Sequence, residues 1–329
     1  MKEFEYAAPR TEEEVVDLLG QRWGETEVLA GGTDLVGLMK KMIVTPDRVV
    51  NVKEVRSMQG IEADSTGVRI GAVTTLEELL DSAELDAFPG IKQAIRGINS
   101  MQLQCQMTLG GELCQRPACW YFRNGYGLLA GGAKQIEDGA NHQHAILGNQ
   151  GAARFVSASR LAPVLIALDA SVRIVGPKTR DERILPLASF YRTPRVEHQR
   201  ETVLEPNQLI THIVLPADEG IRSATYEVRH GEGPDRPLAA AAAALRIEGG
   251  IVRAAQIVMG QVAPVPWVSP EAAGTLLGRT VDADSAIAAG EAAVARATPL
   301  SQNAYKVQLA RTAVKRAVLL AAGLETGGF

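Results

Sequence analysis

The stretch Leu29-Ala30-Gly31-Gly32-Thr33-Asp34-Leu35 constrains this chain more than any other. The apolar run Val28-Leu29-Ala30 predicts a short buried strand, and Val36-Gly37-Leu38-Met39-Lys40-Lys41 predicts a helix directly after it. Consecutive glycines between a strand and a helix let the backbone take positive φ and turn its N–H groups towards one anion. The Thr33 hydroxyl adds a further donor. Thr108-Leu109-Gly110-Gly111-Glu112-Leu113 repeats the pattern far along the chain. Taken singly, such a turn is more often plain punctuation than a binding site. Two of them, each with a threonine close by, favour a nucleotide whose pyrophosphate is held half by each loop.

Composition narrows the classes. A chain of 329 residues that is 46% hydrophobic can bury a substantial core, and its length suggests two or three domains. The formal net charge of -4, with basic residues scattered among acids, argues against a nucleic-acid partner. Met1-Lys2-Glu3-Phe4-Glu5-Tyr6 has no apolar signal core and no run is long enough for membrane insertion, so the cytoplasm is the expected compartment. Cys105, Cys114 and Cys119 are odd in number and clustered, which excludes a disulfide framework and leaves metal binding, redox chemistry or packing.

In chain order, Thr11 is an N-cap candidate for a helix carrying Glu12, Glu13 and Glu14 in its first turn and ending near Gly20. With the Val28 strand, the first glycine loop, its helix and a strand at Arg48-Val49-Val50-Asn51-Val52, residues 1–55 form a small α/β unit. A second unit, 56–217, opens with an alternating strand at Gly67–Val73 and a helix capped at Thr74-Thr75. It includes strands at Ala170–Val175 and Leu209–Pro216. Ala217-Asp218-Glu219-Gly220 is the linker candidate. In 221–329, Leu238–Ile247 and Ile251–Gly260 pair around Glu248-Gly249-Gly250, although the alanine run also suits a helix, and the alanine-rich remainder is helical.

Across most of its length the chain resembles the flavin-binding subunit of the molybdenum hydroxylases, the family of xanthine dehydrogenase, aldehyde oxidoreductases and carbon monoxide dehydrogenase. The resemblance is carried by Ala30-Gly31-Gly32-Thr33-Asp34-Leu35, Gly71-Ala72-Val73-Thr74-Thr75-Leu76, Thr108-Leu109-Gly110-Gly111, Phe190-Tyr191 with Val203-Leu204-Glu205-Pro206, Gly260-Gln261-Val262-Ala263-Pro264-Val265-Pro266-Trp267 and Asn303-Ala304-Tyr305-Lys306-Val307. It implies an α+β fold: a two-part FAD-binding domain of the vanillyl-alcohol-oxidase-like type and a C-terminal domain of antiparallel strands and helices. It also implies non-covalent FAD with both glycine loops on the pyrophosphate. The cofactor-binding set so implied is Leu29, Ala30, Gly31, Gly32, Thr33, Asp34, Leu35, Thr75, Thr108, Gly110, Gly111, Glu112, Arg160 and Leu204.

Cys114-Gln115-Arg116-Pro117-Ala118-Cys119-Trp120-Tyr121-Phe122-Arg123 is similar to a subgroup, including periplasmic aldehyde oxidoreductases, whose flavin subunit carries an inserted loop with a [4Fe–4S] cluster. Here that loop spans about 115–145. Cys119 stands as a remnant of the ligand set, Asn124–Ala140 has no cysteine, and the last ligand position falls close to Ala153. A cluster needs several thiolates, so none is expected in this chain. Cys105 and Cys114 with His142 or His144 are the alternative ligands; partly buried packing is the preferred reading for the cysteines. Asn124–Ala133, rich in glycine, is expected to be a mobile loop.

Two departures touch the flavin. Glu112 replaces the family's asparagine after the second glycine pair, and Arg160 replaces an aspartate near the ribose and adenine side. A carboxylate beside a pyrophosphate is repulsive unless protonated or turned away, and an Arg160–Glu112 ion pair would neutralise it. No catalytic residue is assigned: the chain has no nucleophile elbow, zinc spacing or Walker lysine. The resemblance implies an electron-transfer subunit that works with a molybdenum-cofactor large subunit and a small [2Fe–2S] subunit, handing electrons to an external acceptor. A scaffold subunit with weak or lost FAD binding and a stand-alone flavoprotein are the alternatives.

Overall fold

The computed structural model describes residues 1–132, 134–217, 220–231 and 233–327. Asp218 and Glu219 of the expected linker and Ala133 of the glycine-rich loop lie outside them. Three sheets organise the chain. The first is parallel: β1 (Glu5–Ala7), β2 (Thr26–Leu29) and β3 (Arg48–Asn51) run in the order β1-β3-β2. The helix Glu12–Leu18 connects β1 to β2 and starts where Thr11 and Glu14 form a reciprocal capping box. Within this sheet the sequence pattern did not show β1, because it is only three residues long and largely exposed.

The second sheet is antiparallel, with β4 (Ile61–Asp64), β5 (Gly67–Gly71), β6 (Ser171–Val175), β7 (Glu182–Pro186) and β8 (Leu209–Pro216) in the order β4-β5-β8-β6-β7. The long excursion between β5 and β6 carries the second glycine pair and the inserted segment. The third sheet, β9 (Ile221–Val228), β10 (Ala239–Glu248), β11 (Ile251–Gly260) and β12 (Trp267–Val268), is an antiparallel ribbon ordered β12-β11-β10-β9. The helices Pro270–Leu276, Ala283–Val294 and Tyr305–Ala321 follow it.

The alanine run is strand β10, and burial on both faces explains why. Ala242 and Ala244 pack into the core of the second sheet, whereas Ala239, Ala241, Ala243 and Leu245 pack into the core beneath the C-terminal helices. Alternation with period two assigns the two sets to opposite faces. Methyl side chains let helices approach closely on both sides.

The expected mobile loop is instead anchored. Leu128 and Leu129 are buried with Leu38, Phe122, Ala153 and Phe155, and their backbone N–H groups donate to the Glu197 carboxylate. Its glycines do supply positive φ at Gly125, Gly127, Gly131 and Gly132, so their role is to shape a fixed turn.

Candidate functional site

The two glycine motifs line one cleft between the first and second sheets. It is open to solvent and is lined by residues of both sheets and of the excursion between β5 and β6. Of the residues expected to touch the cofactor, Ala30, Gly31, Gly32, Thr33, Asp34, Leu35, Thr108, Gly110, Gly111 and Leu204 line the cleft. Leu29, Thr75, Glu112 and Arg160 do not.

The first wall is built by close backbone approach. A Cβ on Gly31 would lie 1.7 Å from the Gln106 carbonyl oxygen, so only glycine lets β2 turn against the Gln106-Met107 backbone. Gly32 then takes φ +70 and starts the helix Leu35–Lys40. Among the described residues, nothing accepts a hydrogen bond from the amides of Gly31, Gly32, Thr33 or Asp34. Four successive N–H groups without a protein acceptor, partly exposed on the cleft wall, are donors available to an anion.

The second wall is different from expectation. Gly110 and Gly111 lie inside the short helix Leu109–Leu113, with ordinary φ and not in a positive-φ loop. Thr108 caps that helix by accepting from Gly111 N at 3.2 Å, and Gly110 N donates to Ala72 O at 2.8 Å. Both amides are therefore occupied and cannot clasp a phosphate. Glycine is needed at 110 because a Cβ there would come within 2.8 Å of the Ala72 Cβ. The pair keeps this wall low and close.

The residues off the cleft have other work. Thr75 caps the helix Leu76–Asp81 in a reciprocal box with Glu78. Leu29 ends β2 behind Gly32. The expected Arg160–Glu112 ion pair is not formed. The Glu112 carboxylate accepts from Ser159 Oγ at 2.6 Å and Arg160 N at 2.5 Å, fastening the start of the helix Ala162–Ala167. Burial raises its proton affinity, with those hydrogen bonds opposing. The Arg160 guanidinium turns the other way, with Nε donating to Glu227 Oε1 of β9 at 2.8 Å and a second nitrogen to Gly97 O. Full burial with complementary partners removes both from the cofactor's reach.

Sequence reasoning did not single out the charged wall that faces the glycines. Arg200 pairs with Glu27 at 2.8 Å and lies over the Trp23 ring at 4.3 Å. Arg116 pairs with Glu201 at 3.0 Å. All five line the cleft. Burial, reinforced by Glu201 and opposed by Arg116, pushes the Glu27 carboxyl up to about 7. Tyr191 also lines the cleft and is fixed by donating from its hydroxyl to Leu113 O at 3.0 Å. Each partner comes from a distant part of the chain, so no local spacing announces them. Asp34 is neutralised: its carboxylate accepts from Arg116 N at 2.9 Å and pairs with Arg123 at 2.7 Å, which ties the inserted segment to the first glycine turn.

The three cysteines are apart from one another in role. The Cys114 thiol packs against the main core and burial pushes it up to about 12. Cys105 donates to Glu77 at 3.2 Å, and Cys119 lies 3.2 Å from His144 Nε2. Burial lowers the His144 ring to about 4. Among the described residues, no group of three or more His, Cys, Asp or Glu side chains is arranged to hold a metal ion.

With this geometry in hand, comparison with known proteins is decisive on family. The family described as the FAD binding domain in molybdopterin dehydrogenase matches residues 2–218, and the CO dehydrogenase flavoprotein C-terminal domain matches 224–321. The aldehyde oxidoreductase FAD-binding subunit PaoB of Escherichia coli is 30% identical over 94% of this chain and 96% of its own length. The carbon monoxide dehydrogenase medium chain of Hydrogenophaga pseudoflava is 27% identical over 96% of each. The solved carbon monoxide dehydrogenase from Hydrogenophaga pseudoflava superposes with a TM-score of 0.75 over 97% of each chain at 27% identity. The chain belongs to the family of FAD-binding domains in molybdopterin dehydrogenases, joined to a CO dehydrogenase flavoprotein C-terminal domain.

Proposed function

We propose that this chain is the FAD-binding electron-transfer subunit of a molybdenum hydroxylase-type complex. The observation that carries the reading is the row of amides without a protein acceptor at Gly31, Gly32, Thr33 and Asp34, on the same cleft as Thr108, Gly110 and Gly111. An anion with several oxygens, such as a pyrophosphate, satisfies them together. Ala30, Leu35 and Leu204 supply apolar surface to the same cleft, and Thr108, Gly110 and Gly111 line it too. When bound, FAD supplies the redox chemistry, taking electrons in and handing them on. The protein's own residues bind and orient it: Tyr191 is fixed by Leu113 O, and the Trp23–Arg200–Glu27 group presents a flat, charged surface to whatever planar ring enters.

We assign residues 1–55 and 56–217 to the two parts of the FAD-binding region and 221–329 to the C-terminal domain, with a molybdenum-cofactor large subunit and a small [2Fe–2S] subunit as partners. The names of the relatives, a medium chain and an FAD-binding subunit, support membership of a multi-chain enzyme. No described helix is long and apolar enough to cross a membrane. Three free cysteines fit a reducing compartment such as the cytoplasm.

The test uses the complex isolated with its partners and stripped of flavin. Substrate should still bleach the iron–sulfur absorption of the partner while electron delivery to a soluble dye stops, and added FAD should restore delivery. Undiminished delivery without flavin would reject the reading in favour of a scaffold.

A further inference from the structure

Resting on that reading, we infer that Gln115, held by Arg236 from the C-terminal sheet, is a hydrogen-bond donor to an oxygen of the bound dinucleotide. The second glycine pair has no amide to offer, because Gly110 N is taken by Ala72 O and Gly111 N by Thr108 Oγ1. Gln115 follows one turn later, is half-buried, and lines the same cleft. Arg236 sits between β9 and β10 and reaches across. Its Nη1 donates to Ala158 O at 2.9 Å and its Nη2 to Gln115 Oε1 at 2.6 Å.

The chemistry of the two groups fixes which way the amide points. A guanidinium only donates, so the Gln115 atom facing it must be the carbonyl oxygen, and the NH₂ end is turned away from Arg236. Among the described residues, nothing accepts from Gln115 Nε2. The Arg236 guanidinium, partly buried and acted on by Asp34 and Glu112 from farther away, polarises the amide it holds. The β9–β10 loop thus orients a donor on the same cleft as the Gly31–Asp34 amides. Ala158, the other acceptor of Arg236, also receives Gln261 Nε2 at 3.3 Å, which fixes the cleft rim from the same side.

The experiment is a titration of FAD into the flavin-stripped chain, followed by flavin fluorescence, for the parent and for Gln115→Leu, Gln115→Glu, Arg236→Met and the Gln115→Leu/Arg236→Met double variant. Loss of a hydrogen bond to a charged acceptor corresponds to about a tenfold or greater weakening, which is expected for Gln115→Leu. Gln115→Glu is close in shape and keeps the contact with Arg236 but replaces the donor with acceptors, so it should bind FAD at least as poorly. Arg236 is a positioning residue: Arg236→Met should weaken FAD, and the double variant should bind no worse than Gln115→Leu alone. Unchanged affinity in both Gln115 variants, or effects of the two sites that multiply, would overturn the inference while leaving the cofactor assignment intact. A parent chain that binds no FAD would overturn both.

Discussion

Gly31 is the residue on which the cleft depends most directly. Its missing side chain lets two backbone segments touch, and a methyl group has nowhere to go because the obstacle is the Gln106 carbonyl. Gly31→Ala should therefore push the turn off the Gln106-Met107 backbone, costing about 1–3 kcal/mol as for other overpacked sites and lowering the thermal midpoint. It should also misalign the four free amides, so FAD retention falls in the protein that still folds. Full stability with full flavin would refute the close-approach argument. Arg160 behaves oppositely: its buried partner Glu227 would keep only the longer contact with Arg229, at 3.9 Å. Arg160→Ala should cost about 3–5 kcal/mol of folding free energy in denaturant titration. An Arg160→Ala variant with unchanged stability but weakened FAD affinity would restore the cofactor role assigned from the resemblance.

At the scale of elements, the C-terminal helix Tyr305–Ala321 is stapled to the rest of the protein by one buried cation. Lys306 Nζ donates to Gln143 O at 3.0 Å, His144 O at 3.1 Å and Gln261 O at 2.8 Å, and Asn303 Nδ2 also reaches His144 O at 3.1 Å. These contacts join Gln143 and His144 to the family-like phrases at 260–267 and 303–307 in one knot. Burial lowers the Lys306 ammonium from 10.5 to about 7. Between those values the unfolded chain holds more protons than the folded one, so this group makes folding more favourable as pH rises through the window. Thermal midpoints of the parent measured against Lys306→Met should thus diverge in the parent's favour from about pH 7 upward and stay at a constant offset below it. A constant offset across the whole range would show that Lys306 does not titrate there. The elements themselves were largely visible in the sequence: the capping boxes at Thr11 and Thr75 and the strands 67–71, 171–175 and 209–216 follow local rules. The alanine run was ambiguous since alanine suits both periods, and only burial on both faces made it β10.

Across the whole molecule, local pattern located the first glycine turn but misread the second, which looks alike in sequence and is a capped helix in space. The same limit hid Glu27, Arg116, Arg200 and Glu201, whose pairing brings β2 together with loops far away in sequence. It also produced the Arg160–Glu112 pairing, an inference from two compensating departures that the fold resolves through Glu227 and Ser159. The C-terminal half reaches the cleft through backbone bonds, Ile146 N and Leu147 N to Val262 O and Ser157 N to Ala263 O, and through Arg236. Cofactor binding is therefore a property of the full chain. The direct measurement is FAD content and affinity of the purified full chain, by absorption spectrum and fluorescence titration. The account requires one FAD per chain, released by Gly31→Ala; a colourless parent that takes up no FAD on titration would contradict it.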